Sequence, residues 1–186
     1  MRHIIMILLA WTATINQAEQ DVYICKNAKI TFFSSAPIED IKAVTTTGAS
    51  VYNASTGELG FSVAIRSFQF EKSLMQEHFN SDYMESDKFP KATFKGKITD
   101  HIDVTRDGTY AVKATGELTV HGVTQTRTIP GTITVRGGVI SMASEFMVKC
   151  VDHRIDIPQI VFHHIAESIK VNVTATYSAY KNNQTK

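Results

Sequence analysis

This 186-residue chain lacks an excess of charge of either sign. Its 19 Lys and Arg residues nearly cancel its 18 Asp and Glu residues, so the formal net charge is +1 at pH 7, and no basic run occurs. Nucleic-acid binding needs a concentrated positive surface, so the sequence shows no electrostatic footprint for that function. The length suits one domain with a substantial core.

The sequence also lacks an apolar run long enough to span a bilayer, which takes about 20 residues. Its apolar stretch at residues 4–13 follows Arg2 and has the length of a signal-peptide core. We predict a signal peptide over residues 1–18, cleaved after Ala18, and export of the product; the alternative is an uncleaved anchor. Bulky residues precede Cys25, where a lipidated cysteine needs small ones, so we expect a soluble mature protein.

Cysteine is scarce, with only Cys25 and Cys150 in the chain. An exported protein would allow them to pair. Strand alternation places Cys150 on an apolar face with Phe146 and Val148, whereas Cys25 lies opposite its neighbours. A disulfide needs matched directions and close Cα atoms, so a Cys25–Cys150 bond stays open at this stage. The C-x-x-C and Cys/His spacings of redox and metal sites are absent.

Catalytic and cofactor motifs are missing as well. There is no Gly-x-Ser-x-Gly elbow and no phosphate-cradling glycine loop. His163 and His164 are adjacent, so on a strand they point to opposite faces and cannot easily share an ion. We therefore predict no catalytic residue, no metal and no cofactor. A hydrolase or isomerase would need a polar cluster inside a cavity, with His78 or His121 beside a carboxylate as its sign.

What the sequence does contain is the period-two alternation of half-buried β-strands. The runs with this pattern are residues 28–33, 58–70, 110–120, 129–135, 142–150 and 169–177. The inward parity switches near Arg66, which predicts a β-bulge or a bend at that point. The chain is therefore predicted to be mainly β.

Turn signals join these runs into sequential hairpins. Thr56-Gly57 and Gly137-Gly138 separate neighbouring runs, and Asp107-Gly108 is predicted to join a strand at 101–106 to the one at 110–120. A meander of this kind hides its edges most simply by closing into a barrel. We predict an antiparallel barrel of about eight strands.

One segment follows helical spacing instead. The apolar residues Leu74, Met75, Phe79 and Met84 recur at this spacing between residues 71 and 85, and Pro90 prevents continuation. We predict one helix, or two short turns, inserted between two strands. Its apolar residues either cover the barrel mouth or pack on the outer wall.

Two motifs resemble those of a known family. One comprises residues 77–79 and 83–96, with the sequence EHF followed by YMESDKFPKATFKG, and the other is GELTVHGVT at residues 116–124. Together they resemble the YceI-like family of exported lipid-binding proteins, and the likeness covers about residues 22–177. The resemblance implies a single lipocalin-like barrel domain at residues 19–186, with an inserted helix. It also implies a periplasmic location and an elongated apolar cavity for a polyisoprenoid or similar amphiphile.

These observations favour a periplasmic, non-enzymatic carrier or sequestering protein for an isoprenoid-type or other amphiphilic lipid. From parity and motif position, the predicted ligand-binding residues are Phe61, Val63, Ile65, Phe94, Leu118, Val120, Phe146 and Val171 on the barrel wall, with Phe79, Met84 and Phe89 from the helix region. The alternative is an interaction module whose own side chains fill the barrel. Such a module would act through its surface, in a stress response or beside a membrane redox system. The sequence leaves ligand identity and a homodimer open.

Overall fold

The structure is a computed structural model that describes residues 21–35, 40–157 and 166–180. The predicted signal peptide with its cleavage site at Ala18 lies outside the described residues, as do His163 and His164.

The alternating runs form nine strands, each paired antiparallel with its neighbours. They are β1 (Val22–Ser34), β2 (Ile41–Asn53), β3 (Glu58–Ala64), β4 (Gln69–Phe70), β5 (Lys91–Ile98), β6 (Gly108–Val120), β7 (Val123–Arg136), β8 (Val139–Lys149) and β9 (Ser168–Ala179). The bonded order is β1-β9-β8-β7-β6-β5-β3-β2, and β2 returns to β1. Eight strands thus close a barrel, as predicted, and the short β4 pairs with the start of β2.

The predicted bend near Arg66 is present as a 3₁₀ turn at Ile65–Ser67, between β3 and β4. The turn inserts residues between two stretches that both pair with β2, so the inward parity changes across it. Phe61 and Val63 face inward before the turn, and Phe68 and Phe70 do so after it.

The turns at Thr56-Gly57 and Gly137-Gly138 lie where they were predicted, between β2 and β3 and between β7 and β8. The strand predicted at residues 101–106 is wrong: residues 99–107 form a loop, and β6 begins at Gly108. The side chain of Asp103 accepts hydrogen bonds from both the backbone N–H and the hydroxyl of Thr105. These bonds replace ladder pairing locally.

The inserted helix is confirmed as α1 (Ser73–His78), which continues into a single wide π-helical turn at Phe79–Tyr83. The backbone then leaves the helix at Met84, and Glu85 takes a positive φ of 41°. The helical segment therefore ends before Pro90, and β5 begins at the next residue, Lys91.

The connections divide between two ends of the barrel. The helix end carries the inserted segment 65–90, the β6–β7 turn and residues 150–157, and the closed end carries the β2–β3 turn, the β7–β8 turn and the loop 99–107. Large side chains fill the closed end, where the following are at most 2% exposed: Tyr52, Ile133, Val135 and Ile140. This packing seals one end of the barrel against water.

The two cysteines lie at opposite ends of the barrel. Strand β9 pairs at Ser178 with the neighbour of Cys25, and at Ser168 with the neighbour of Cys150. Positions 178 and 168 are ten residues apart, about 33 Å along a strand, whereas bridged Cα atoms lie within about 7 Å. An intramolecular Cys25–Cys150 disulfide is therefore excluded, and both thiols are free and buried.

Candidate functional site

A cavity of about 910 Å³ occupies the barrel interior. All eight barrel strands contribute residues to its lining, and most of these residues are apolar. It extends from Ile98 and Ile133 near the closed end to His78 and Asp82 at the helix end. The last two side chains are about half exposed, at 50% and 55%, so the cavity reaches solvent at the helix end.

Ten of the eleven predicted ligand-binding residues line this cavity. They are Phe61, Val63, Ile65, Phe79, Met84, Phe94, Leu118, Val120, Phe146 and Val171. Of the two positions left open for the inserted helix, the structure shows the first, since Phe79 and Met84 face the cavity rather than the outer wall. Contact of these residues with a ligand remains a prediction.

Four phenylalanines form an aromatic cluster near the helix end. Phe32, Phe68, Phe70 and Phe79 pack with ring centroids 5.0–6.0 Å apart, in stacked, tilted and edge-on pairs. Sequence reasoning did not predict Phe32, Phe68 and Phe70 as cavity residues. Their contact depends on the 3₁₀ turn and the β2–β4 pairing, which together bring β4 close to β1 and α1. The parity switch near Arg66 was the signal that could have identified Phe68 and Phe70.

The polar lining is concentrated at the helix end. His78 Nδ1 donates to Asp82 Oδ2 at 2.6 Å, and Tyr83 and Asp156 line the same region. Hydrogen bonds from His78 and Ser81 hold the pKa of Asp82 below its usual range. Burial, together with the nearby Asp82 charge, raises the pKa of Tyr83, so its hydroxyl remains a donor. The described lining is therefore mainly apolar, with a few hydroxyl residues such as Ser62, Thr93 and Thr132 along the wall and its ionisable groups at the helix end.

Phe89 is the exception among the predicted residues, because it lies outside the cavity. Its ring packs edge-on against His121, with centroids 4.5 Å apart. A Cβ at Gly122 would collide with that ring, so the glycine leaves room for it. The physical reason for the correction is that the turn before Pro90 faces the β6–β7 turn rather than the barrel interior.

The two family-like motifs meet directly in the fold. In the β5–β6 ladder Phe94 pairs with Leu118 and Gly96 pairs with Gly116. Phe94 and Leu118 both line the cavity. A Cβ on Gly116 would overlap the Lys95 carbonyl, so close strand approach requires the glycine.

The β6–β7 turn, which sequence reasoning did not identify as a hairpin, is His121-Gly122, with φ of 49° and 72°. Its histidine joins three segments of the helix end. His121 Nε2 lies 3.0 Å from Glu85 Oε2, and His121 Nδ1 lies 3.1 Å from the His153 carbonyl oxygen. We call Glu85, His121 and His153 the latch, because they connect the inserted segment, the turn and residues 150–157.

The latch places an oxygen acceptor beside each nitrogen of one ring: the Glu85 carboxylate faces His121 Nε2 and the His153 carbonyl faces His121 Nδ1. His153 is fully buried, and its Nδ1 donates to the Val123 carbonyl at 3.0 Å. Its Nε2 has no partner among the described residues.

The barrel wall is incomplete between β7 and β8. Their ladder joins only residues 132–136 to residues 139–143, at the closed end. In contrast, β7 pairs with β6 over almost its whole length. We call the remaining stretch, residues 123–131 of β7 facing residues 144–149 of β8, the seam.

Side chains bridge the seam in place of backbone pairing. Ser144 Oγ donates to the Pro130 carbonyl at 2.6 Å, and Arg127 Nη2 donates to the Met147 carbonyl at 2.8 Å. Pro130 has no N–H to give to a ladder. Residues from both edges, Pro130 and Ser144 among them, line the cavity, so the cavity reaches the seam.

Cys150 also lines the cavity. Burial raises the pKa of its thiol to about 11, so the thiol is protonated at neutral pH and is a poor nucleophile. Within the described ranges, no group of three or more His, Cys, Asp or Glu residues could hold a metal ion.

His78 and His121 do each lie beside a carboxylate, the feature that a lipid hydrolase or isomerase would require. The Glu85–His121 pair lies outside the cavity lining, whereas the His78–Asp82 pair lies on it. The neighbouring Ser81 hydroxyl donates to Asp82 and to the Glu77 carbonyl rather than to His78, so no activated nucleophile is formed there.

An antiparallel eight-stranded barrel around a large apolar cavity defines a lipocalin-like barrel protein. No helix among the described residues combines the length and apolar character needed to cross a membrane.

Residues 3–177 match the YceI-like domain, so the chain belongs to the YceI-like family. Solved structures share the fold. A polyisoprenoid binding domain from Saccharophagus degradans, implicated in plant cell wall breakdown, superposes with a TM-score of 0.73 at 12% identity, covering 87% of this chain and 99% of that one. BcnA of Burkholderia cenocepacia gives 0.69 at 14% identity, over 81% of this chain and 96% of its own. The YCEI protein of Campylobacter jejuni gives a TM-score of 0.60 at 20% identity, covering 78% of this chain and 88% of that one. No curated protein sequence matches this chain.

Proposed function

We propose that this protein binds an isoprenoid-type or other long-chain amphiphilic lipid inside the barrel and acts as a non-enzymatic carrier or sequestering protein in the periplasm. The single observation that carries the proposal is the cavity of about 910 Å³, whose described lining is mainly apolar and carries its ionisable side chains at the helix end. Lipid-sized cavities with a few polar groups at one end suit an amphiphile rather than a polar metabolite.

The cavity is large enough for tight binding. At roughly 30 Å³ per water-sized group, it holds on the order of 30 non-hydrogen atoms of ligand. About 20 buried methylene groups would contribute roughly 16 kcal/mol at ~0.8 kcal/mol each. Association costs about 4–15 kcal/mol, which leaves a net binding free energy of about 1–12 kcal/mol, and the favourable end of that range corresponds to nanomolar affinity.

The similarity to a polyisoprenoid binding domain supports the choice of ligand class, since this chain shares that fold and has a mainly apolar cavity lining. The alternative of a barrel filled by its own side chains does not fit a cavity of this size. A homodimer and a partner in a membrane redox system remain predictions.

The titratable pair on the described lining of the cavity is poorly placed for catalysis. The His78–Asp82 pair is about half exposed at the rim, without the water-excluded surroundings that favour general base catalysis. The periplasmic location rests on the apolar segment at residues 4–13, and fractionation of cells expressing the full chain tests it. Recovery of an unprocessed product with the membranes would contradict it.

Native mass spectrometry of protein purified from its source cells tests the function. We expect a co-purified lipid of several hundred daltons that dissociates under collisional activation. Delipidated protein should then bind added geranylgeraniol, with a raised melting temperature. Absence of a co-purified lipid, together with no binding of the added prenyl alcohol, would refute the proposal.

A further inference from the structure

We propose that the cavity selects amphiphiles whose head group is uncharged, such as a hydroxyl, a carbonyl or an amide, and discriminates against phosphate and diphosphate. This inference rests on the proposed lipid-binding function. It adds the chemical class of the ligand's polar end.

The described lining of the cavity offers no Lys and no Arg to an anionic head group. The connecting stretches 36–39 and 158–165, outside the described residues, also contain no Lys or Arg in their sequence; their basic residues are His163 and His164. Proteins that recognise phosphate groups rely on Arg and Lys side chains or on helix N-termini. An anionic head group would therefore enter a site without the Lys or Arg counter-charge that phosphate sites use.

The charge that is present at the rim is negative. Asp82 and Asp156 both line the helix end of the cavity. Asp82 is ionised at neutral pH because hydrogen bonds stabilise its charged form. The bond to Asp82 also engages Nδ1 of His78, a basic side chain on the same part of the lining. A diphosphate placed between the two carboxylates would be repelled.

The same rim can bind a neutral oxygen atom. Tyr83 lines it, and its hydroxyl stays protonated because burial raises the pKa. A phenol hydroxyl donates to carbonyl and hydroxyl oxygens alike. The rim thus provides a donor for uncharged head groups and repulsion for anionic ones.

The test compares two ligands with the same tail, geranylgeraniol and geranylgeranyl diphosphate, in competition against a fluorescent prenyl probe. We expect the alcohol to bind at least about tenfold more tightly at 50 mM salt, with the ratio narrowing at 500 mM as screening increases. The double variant Asp82→Asn, Asp156→Asn should reduce the ratio of the diphosphate Kd to the alcohol Kd about threefold. Asp87→Asn is the matched control, since Asp87 carries the same charge near the same end but pairs with Arg66 outside the lining.

Equal or tighter binding of the diphosphate would overturn the head-group inference and leave the proposed function intact. Binding of neither ligand would refute the proposed function itself. A ratio that shifts equally in Asp87→Asn would assign the preference to overall charge and so reject the role of the rim.

An independent observation, the seam, supports a second inference. We infer that lipid enters and leaves the barrel laterally, by separation of β7 and β8 along the seam. The β2–β3 ladder is also short, at four pairs, but β4 pairs with Ala43 and Val44 of β2 and covers that junction toward the helix end. Apart from β7 and β8, the other neighbouring strands are joined by longer backbone ladders, which must break together to part. Along the seam, a few side-chain bonds can break singly.

Those bonds come from three donors. Ser144 and Arg127 bind carbonyl oxygens across the seam, and Gln125 Nε2 donates to the Asp152 carbonyl at 2.8 Å where the seam meets the helix end. Because the cavity lining includes both edges of the seam, parting them opens the ligand site directly. A long chain could then leave sideways without being drawn past the aromatic cluster.

Stopped-flow exchange of a fluorescent prenyl alcohol tests the route. Removing seam bonds with Arg127→Ala should raise the association and dissociation rates together, at least about threefold, while changing Kd by less than twofold. That pattern identifies a route rather than a contact site, because a gate lowers the barrier in both directions. Gln125→Ala serves as a second variant if Arg127→Ala folds poorly.

Arg136→Ala is the matched control, since Arg136 is exposed on the same strand at the closed end, within the ladder. Unchanged exchange rates in both seam variants would overturn the inference and place the route at the helix end. If Kd changed because the dissociation rate changed while the association rate did not, that result would also overturn the lateral route.

Discussion

Filling the cavity from one wall is the sharpest test of whether the barrel interior is a ligand site. Ala114 lies in the middle of β6, is 7% exposed and lines the cavity. In Ala114→Phe, the added ring carries about six carbons into space that a lipid tail would use, at most ~5 kcal/mol of lost burial. Because a flexible tail can shift, we expect a loss of about 3 kcal/mol, or roughly a hundredfold in Kd.

The same substitution distinguishes a cavity from a packed core through its effect on stability. Enlarging a side chain in a filled core costs about 1–3 kcal/mol of unfolding free energy. A ring entering an unfilled cavity displaces no protein atoms and gains apolar burial. We therefore expect the unfolding free energy of delipidated Ala114→Phe to equal or exceed that of the wild type.

Denaturant titration of delipidated protein and prenyl-alcohol titration of the same samples measure the two effects. Ala111→Phe is the control, since Ala111 lies on the same strand but is exposed on the outer face. It should leave the affinity unchanged. Loss of stability in Ala114→Phe, or binding equal to that of the wild type, would refute the reasoning and favour a barrel filled by its own side chains.

Three further perturbations follow from the structure. Gly116→Ala should lower the unfolding free energy by about 3 kcal/mol or more, because its Cβ would overlap the Lys95 carbonyl, whereas Gly60→Ala, with open space around it, should change it by less than about 1 kcal/mol; equal effects in denaturant titrations would contradict this account. His121→Asn suits the turn conformation but removes both latch bonds, so we expect a loss of about 2 kcal/mol and faster hydrogen exchange at residues 71–90; unchanged exchange would show that the latch does not hold the inserted segment. The pKa of Cys150 is raised by burial from 9.0 to about 11, so its contribution to stability is complete below pH 9 and is lost as pH rises to 11; Cys150→Ala should lack this alkaline loss, and parallel pH profiles would reject it.

Strand alternation predicted most of the ligand-facing wall because its cause is local. In a half-buried strand every second side chain faces inward, so Phe61, Val63 and Leu118 could be placed by counting. The inserted helix was predictable for the same reason, from the spacing of Phe79 and Met84. The strand predicted at residues 101–106 failed because the Asp103 side chain binds its own backbone neighbourhood, which alternation does not report.

Contacts between distant segments escaped prediction. Phe89 was assigned to the cavity because it follows the helix, yet its ring lies on His121 through the meeting of two turns. The aromatic cluster depends on β4 returning to β2 after the 3₁₀ turn. The seam depends on where the β7–β8 ladder stops, which neither strand shows on its own.

The sequence by itself determined the mainly β class, the approximate strand number and the inward parity, since these follow from local periodicity and turn chemistry. Only the tertiary structure decided that the interior is left unfilled, that the two cysteines lie at opposite ends, and that the ionisable groups of the described lining gather at one end. Closure of the sheet fixes those properties, because the barrel's width and the register of its strands, not any single segment, set which side chains meet across it.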